Sequence, residues 1–250
     1  MNFTKGILIS SALVLGTIGG SLFAGELRLN GASTTVSAVI DPHKEAVEKA
    51  TGIKLKIAAI GTGKGLVDLA EGRADLALTS EPLEIAVAAA KIAGKEIQIA
   101  TLQLHKVAEQ EIVFVVHPSN TVNKLTHAQI KDIHLGKIKN WKEVGGSDAP
   151  IMVFTDNKTG GTRAMVKKIV FNDEEYGPNC KALESVKKVN DNVADFKNGF
   201  GAVGMAFVDK NKVKIIETEK IVRPLGFISL GNPSADATKV IDAYKKEAVK

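Results

Sequence analysis

Short apolar runs and amphipathic stretches alternate along almost the whole chain. Alternating or continuous β-branched and apolar runs predict strands over 26–30, 54–60, 74–78, 97–102, 111–116, 151–154 and 202–207. Helical spacing predicts helices over 35–49, 65–71, 162–171 and 235–248. Leu66, Val67, Leu69 and Ala70 share one apolar face, and Met165, Val166, Ile169 and Val170 share another. Thr126 is placed to cap a helix reaching Ile133. Pro82 opens an Ala-rich helix at a position where its missing N–H has no intrahelical partner to lose. Pro42 is expected to kink the first helix. Strand–helix alternation of this kind is the mark of an α/β protein with mostly parallel strands.

Three of the predicted strands run directly into loops of Gly, Ser and Thr that open helices. They are Gly31-Ala32-Ser33-Thr34-Thr35, Gly61-Thr62-Gly63, and Thr159-Gly160-Gly161-Thr162. Helix starts leave backbone N–H groups unpaired at the positive end of the dipole. Small residues let an oxyanion approach those groups, and hydroxyls add donors. One such loop is commonplace; three in one chain point to a small-anion cleft.

The first 24 residues have the form of a secretion signal, with Lys5 leading, an apolar run over 6–20, and small Ala24 at the cleavage point. No Cys stands there to carry a lipid anchor. About 226 residues would remain, enough for two lobes of roughly 110 each. Loss of Lys5 lowers the formal charge from +5 to +4, a balance compatible with anionic ligands. Cys180 is the single cysteine, so no internal disulfide can form, and the five histidines lack zinc-ligand spacing. No metal or other cofactor is expected. No paired-carboxylate or nucleophile-elbow constellation marks an enzyme. No basic stripe with interleaved aromatics marks a nucleic-acid binder.

The order of motifs resembles the phosphate-binding periplasmic proteins of ABC transporters. The likeness runs from Gly31-Ala32-Ser33-Thr34-Thr35 through Gly61-Thr62-Gly63-Lys64-Gly65 and Ala74-Asp75-Leu76-Ala77-Leu78-Thr79-Ser80-Glu81-Pro82-Leu83. It continues with Val115-Val116-His117-Pro118, Leu125-Thr126, and the run from Ile133-His134-Leu135-Gly136 to Asn140-Trp141. Gly160-Gly161-Thr162-Arg163 and Gly201-Ala202-Val203-Gly204-Met205 complete it. The resemblance implies a two-lobed type II periplasmic-binding-protein fold, each lobe a mixed, mostly parallel sheet flanked by helices. The lobes would comprise 25–107 with 210–250, and 108–209, joined by crossings near 106–111 and 208–214.

The family site, carried over position by position, implies ligand contacts from Thr35, the Val36 amide, Thr62, Gly160, Gly161 and Thr162. Glu81, with Ser80 beside it, stands where the family has an acid. Protonated phosphate can donate to a carboxylate, whereas sulfate at neutral pH has no proton to give. One departure is sharp: where the family places an arginine ahead of Ser-Gly-Thr, this chain has Asp156 and Gly160. A charge-assisted contact is worth about 1.5–3 kcal/mol, so a phosphate site here needs another cation. Lys64, Lys158 and Arg163 are the candidates; alternatively Asp156 turns outward, or the ligand is not phosphate. Trp141 is expected to pack in the second lobe.

The functional expectation is a monomeric, extracytoplasmic solute-binding protein, not an enzyme. It would capture phosphate or a related oxyanion and deliver it to an ABC permease in the inner membrane. The alternatives are a binding-protein fold turned to sensing or protein interaction, and a zwitterionic ligand whose cationic group meets Glu81 and Asp156.

Overall fold

The computed structural model describes residues 25–158 and 160–248. The expected leader over 1–24 and Thr159 of the third loop lie outside the described residues. β1 (Gly25–Gly31) leads into a helical run composed of α1 (Ser33–Thr35), a π turn (Val36–Ile40) and α2 (Asp41–Thr51). Next come β2 (Ile53–Ala58), α3 (Thr62–Ala70), β3 (Leu76–Thr79), α4 (Leu83–Ile92) and the long β4 (Leu102–Val116). They are followed by α5 (His127–His134), β5 (Met152–Thr155), α6 (Gly161–Val170), β6 (Cys180–Ala182), α7 (Val186–Asp195) and β7 (Gly199–Gly204). A second long strand, β8 (Lys214–Leu230), precedes α8 (Ala235–Glu247).

The eight strands form one sheet in the order β2-β1-β3-β8-β4-β7-β5-β6. Both flanks are parallel: β1 pairs with β2 and β3, and β5 with β6 and β7. The middle is an antiparallel ribbon of β4 and β8, itself antiparallel to β3 on one side and β7 on the other. Two parallel α/β halves are therefore joined through a shared pair of strands.

Alternation along the strands explains how each half is filled on both faces. Leu76 and Leu78 of β3 pack with Val47 and Tyr244 under α2 and α8, while Ala77 faces Leu66 and Ala86 of α3 and α4. In the other half Ile112, Phe114 and Val116 of β4 pack with Trp141, Met165 and Phe200, whereas Val113 and Val115 meet Phe154 and Val189. Trp141 is a packing residue, edge-on to Phe200 at 5.8 Å with Nε1 donating to the Asn198 carbonyl at 3.3 Å. Packing changes from one half to the other between Ala108 and Ile112 on β4, and between Ile221 and Leu225 on β8. On β8 this is further along the chain than the crossing expected at 208–214. Gln110 and Arg223 are paired across the ribbon at that changeover.

Most expected elements are present with shifted ends, and four differences stand out. Pro42 does not break the first helix; the Asp41 N–H reaches back to the Val36 carbonyl, making a wide π turn that absorbs the missing donor. The strand expected over 97–102 is a 3-10 turn, Ile99–Thr101, ahead of β4. The strand expected over 202–207 is β7 ending in a 3-10 turn, Met205–Phe207. β6, α7 and β8 are not among the expected elements: β8 carries Glu217, Glu219, Lys220, Pro224 and Gly226, which erase its alternation.

Candidate functional site

A cleft of about 320 Å³ opens where the C-terminal ends of β1, β2, β3 and β5 meet the helix starts that follow them. One wall comprises Ala32, Ser33 and Thr34 with Gly61, Thr62, Ser80 and Glu81; the other comprises Asp156, Asn157, Gly160 and Gly161. Glu184, Ser185 and Val186 add the start of α7, a fourth helix terminus with no counterpart among the three expected loops. Ligands of open α/β sheets sit beyond strand C-termini in this way.

Three of the helix starts at the cleft differ in capping from α5 and α8, while α7 at its edge is capped by Ser185. Thr126 on α5 and Ser234 on α8 receive hydrogen bonds from their helices' first-turn amides. The residues preceding α1, α3 and α6 are Ala32, Gly61 and Gly160, and none gives a side-chain cap among the described residues. Among the described residues no capping side chain occupies the leading amides of these three helices, and amides of this kind attract anions.

The second loop is shaped by packing. A Cβ on Gly63 would overlap the Ala89 carbonyl of α4, and one on Gly65 would overlap the Asn30 carbonyl of β1. This close seating of α3 delivers Thr62 to Glu81: Thr62 Oγ1 donates to Glu81 Oε2 at 2.5 Å. Glu81 is only 2% exposed and is held by a dense set of donors. Its Oε2 also accepts from Thr79 Oγ1 at 3.2 Å and the Ser80 amide at 3.3 Å, and Oε1 accepts from Ser80 Oγ at 2.7 Å. The carboxylate crosses to the opposite wall, where a Cβ on Gly161 would overlap Oε1. A Cβ on Gly160 would likewise overlap Asp156 Oδ2. Two carboxylates therefore face the glycine loop that was expected to hold an anion.

Asp156 does not turn outward. It is 7% exposed, and its Oδ1 accepts from the Asn157 amide at 2.8 Å. Burial pushes its carboxyl up to about 6; the amide bond and the charge of Arg223 pull it down, Glu81 pushes it up further, and Arg163 opposes that.

The other expected residues divide. Thr35 is buried, with Oγ1 donating to the Thr79 carbonyl at 2.5 Å, so it ties the first loop to β3. The Val36 amide donates to the Ala32 carbonyl at 3.1 Å within the helical run. Thr34, beside them, lines the cleft. Thr162 is buried behind Gly161. Arg163 points away: its guanidinium lies 3.6 Å from the Tyr176 ring centroid, and Nη1 donates to Thr155 Oγ1 at 2.5 Å. Lys64 and Lys158 are exposed and do not line the cleft.

The cation beneath the cleft is Arg223, which is not among the cations expected from sequence. It is 1% exposed and comes from β8 at the changeover between the halves. Nη2 donates to Gln110 Oε1 at 2.6 Å and to Thr34 Oγ1 at 3.4 Å, and Nη1 donates to Thr162 Oγ1 at 3.1 Å. A Cβ on Gly204 would overlap both Gln110 Oε1 and Arg223 Nη2, so that glycine makes room for the guanidinium. In sequence, Arg223 is a single basic residue among exposed charges, and only Gly204 hints at a bulky neighbour.

A family model described as a PBP superfamily domain matches residues 20–245. The chain belongs to the PBP superfamily. Its fold is the α/β type II periplasmic binding protein fold, with a mixed sheet and flanking helices. Similar PBP-superfamily structures include one from Clostridium perfringens, described as a phosphate ABC transporter substrate-binding protein and solved with bound phosphate. It aligns with a TM-score of 0.75 at 28% identity, over 87% of this chain and 92% of that one. An ABC-type phosphate transport receptor from Vibrio cholerae aligns with a TM-score of 0.69 at 26% identity, over 88% and 93%. The phosphate-binding protein PstS of Bacillus subtilis is 26% identical over 79% of this chain. This chain spans 63% of that protein's length. These relatives are named as binding or transport proteins, not as enzymes.

Proposed function

We propose that this PBP-superfamily chain is an extracytoplasmic, monomeric solute-binding protein that captures phosphate or a closely related oxyanion and presents it to an ABC permease. The observation that carries this reading is the convergence on one cleft of the starts of α1, α3 and α6, which have no side-chain caps among the described residues. The relatives named for phosphate support the same ligand class. In this reading the two halves, which exchange between Ala108 and Ile112 on β4 and between Ile221 and Leu225 on β8, act as lobes that close over the ligand about this ribbon. Thr34, Thr62, Ser80 and Glu81 approach from one lobe, and Asp156, Gly160 and Gly161 from the other, with Thr162 buried behind them. Glu81 selects a protonated oxyanion, which can donate to its Oε1, over sulfate, which cannot.

Calorimetric titration with phosphate, arsenate, sulfate and molybdate tests the proposal. Phosphate is expected to bind and to raise the melting temperature, by about 2.7 kcal/mol of added stability at a hundredfold excess over Kd. No heat with any of the four ions overturns it.

A second reading rests on Glu81 and Asp156 both facing the glycine loop. A zwitterion would set its anionic group on the helix starts and its cationic group between these carboxylates. Tight binding of a phosphorylated amine, with weak binding of inorganic phosphate, would favour this reading over the first.

A further inference from the structure

An anion resting on the α6 amides meets two carboxylates at close range, and the cleft needs a positive charge to offset them. The cations nearest in sequence do not supply it, because Arg163 is stacked on Tyr176 and Lys64 and Lys158 are exposed. Arg223 differs from them in three respects. It is buried at the changeover between the halves, so its field is little screened by water. It holds one hydroxyl from each wall, Thr34 from the first loop and Thr162 from the last. Its Nε has no hydrogen-bond partner among the described residues. A buried, unpaired donor on a charged group is costly unless something else at the site recovers the loss.

We propose that Arg223 is the cation that holds the anion in this cleft, acting from the strand ribbon beneath it through Thr34 and Thr162. Each hydroxyl oxygen accepts from Arg223 and keeps its own O–H to donate; Thr34 lines the cleft, and Thr162 lies buried behind Gly161 at its other wall. Its single positive charge offsets part of the charge of Glu81 and Asp156 when the cleft is empty, and the anion shares that charge when it is filled. Gln110 keeps the fork in plane from the paired position on β4, and Gly204 gives it space. This inference rests on the oxyanion reading above and adds which residue supplies the charge.

The test compares phosphate binding by calorimetry in the parent, Arg223→Gln, and Arg223→Gln with Asp156→Arg, alongside the melting temperature of each without ligand. Arg223→Gln is expected to weaken phosphate binding about 10- to 100-fold, the worth of a charge-assisted contact. Moving the cation to position 156 in the double variant is expected to restore most of that loss while leaving the melting temperature of the ligand-free protein where Arg223→Gln set it, which separates a lost charge from a lost fold. Phosphate binding that is unchanged in a folded Arg223→Gln protein, or a folded double variant with no regain, overturns this inference and leaves the oxyanion reading standing. A parent that binds none of the four oxyanions overturns both. If Arg223→Gln does not fold, Arg223→Gln with Asp156→Asn is compared with Asp156→Asn alone. At least tenfold weaker binding is then expected, and equal binding overturns the inference.

Discussion

Thr62 Oγ1 donates to Glu81 Oε2 across 2.5 Å, joining the first residue of α3 to the acid that precedes α4. With Thr79 and Ser80 adding three further donors, the carboxylate is positioned before any ligand arrives. In the reading proposed above, it accepts a proton-bearing ligand oxygen at Oε1 and repels one that bears none. Glu81→Gln is expected to lower phosphate affinity and raise sulfate affinity, because the amide offers a donor to an ion that only accepts. Titrating both ions against both proteins checks this; an unchanged phosphate-to-sulfate ratio counts against the assignment.

Gly161→Ala places a methyl group where Glu81 Oε1 now sits. The carboxylate has to shift, at a cost of about 1–3 kcal/mol in stability for overpacking of this kind. Phosphate binding should fall sharply as the α6 amides are covered. Gly72→Ala, at a turn with open space and a φ of +72°, should lower stability through backbone strain and leave binding intact. Melting and titration of the two variants separate these effects.

Asp156 carries a pH signature. Its carboxyl is ordinarily near 3.8 and is pushed up to about 6 in the native protein, so the folded state holds a proton that the unfolded chain has released. Stability attributable to this residue is therefore greatest below about pH 4 and is lost as the pH rises through 6. Between those limits the loss amounts to roughly 2–3 kcal/mol, on the order of 1.4 kcal/mol for each tenfold change in proton affinity. Asp156→Asn should raise the melting temperature at pH 8 and change it little at pH 4, with Oδ1 still accepting from the Asn157 amide. An equal rise at both pH values would contradict this.

His134 acts in the opposite direction. It is buried among Phe114, Phe171, Tyr176 and Phe200, with Nδ1 against the Ile130 carbonyl at 2.8 Å. Burial holds its imidazole down at about 4, against an ordinary 6.5. The folded state keeps it neutral, so its contribution is complete above pH 6.5 and is lost as the pH falls toward 4. His134→Gln should flatten the acid limb of a stability-versus-pH curve measured by chemical denaturation. An acid limb of unchanged slope would assign the loss to other groups.

Much of the flanking architecture was legible because its signals are local. The run Glu111–Val116 reads as a buried strand since both faces need apolar side chains, and Thr126 with Gln129 forms the capping box its spacing suggests. Gly160 and Gly161 were legible as a glycine loop at a strand end, and Glu81 stood out only through the resemblance of its stretch to the family; the structure lines one cleft with all three. The joining ribbon was not legible. β8 leaves its ladder around Glu217, where the chain pairs instead with Asn123 and Leu125, and Pro224 follows in the same strand. α7 is built largely from Val, Asn and Asp, all weak helix formers, and is held by Val186, Val189 and Val193 against the sheet. Arg223 meets Gln110 over 113 positions and Thr34 over 189, separations at which no local pattern survives.

The ribbon departs from regular pairing twice, between Lys106 and Ala108 and between Ile112 and Phe114, and the Gln110–Arg223 pair lies between those two irregularities. Thr34 and Thr162, the outer ends of the Arg223 bonds, belong to opposite flanks of the sheet. Any bend of the ribbon that spreads those flanks must stretch one of the two bonds while Gln110 keeps its hold. In the two-lobe reading proposed above, emptying the cleft and unhooking the buried guanidinium from one threonine become a single mechanical event, with the hinge acting as the detector of its own cargo.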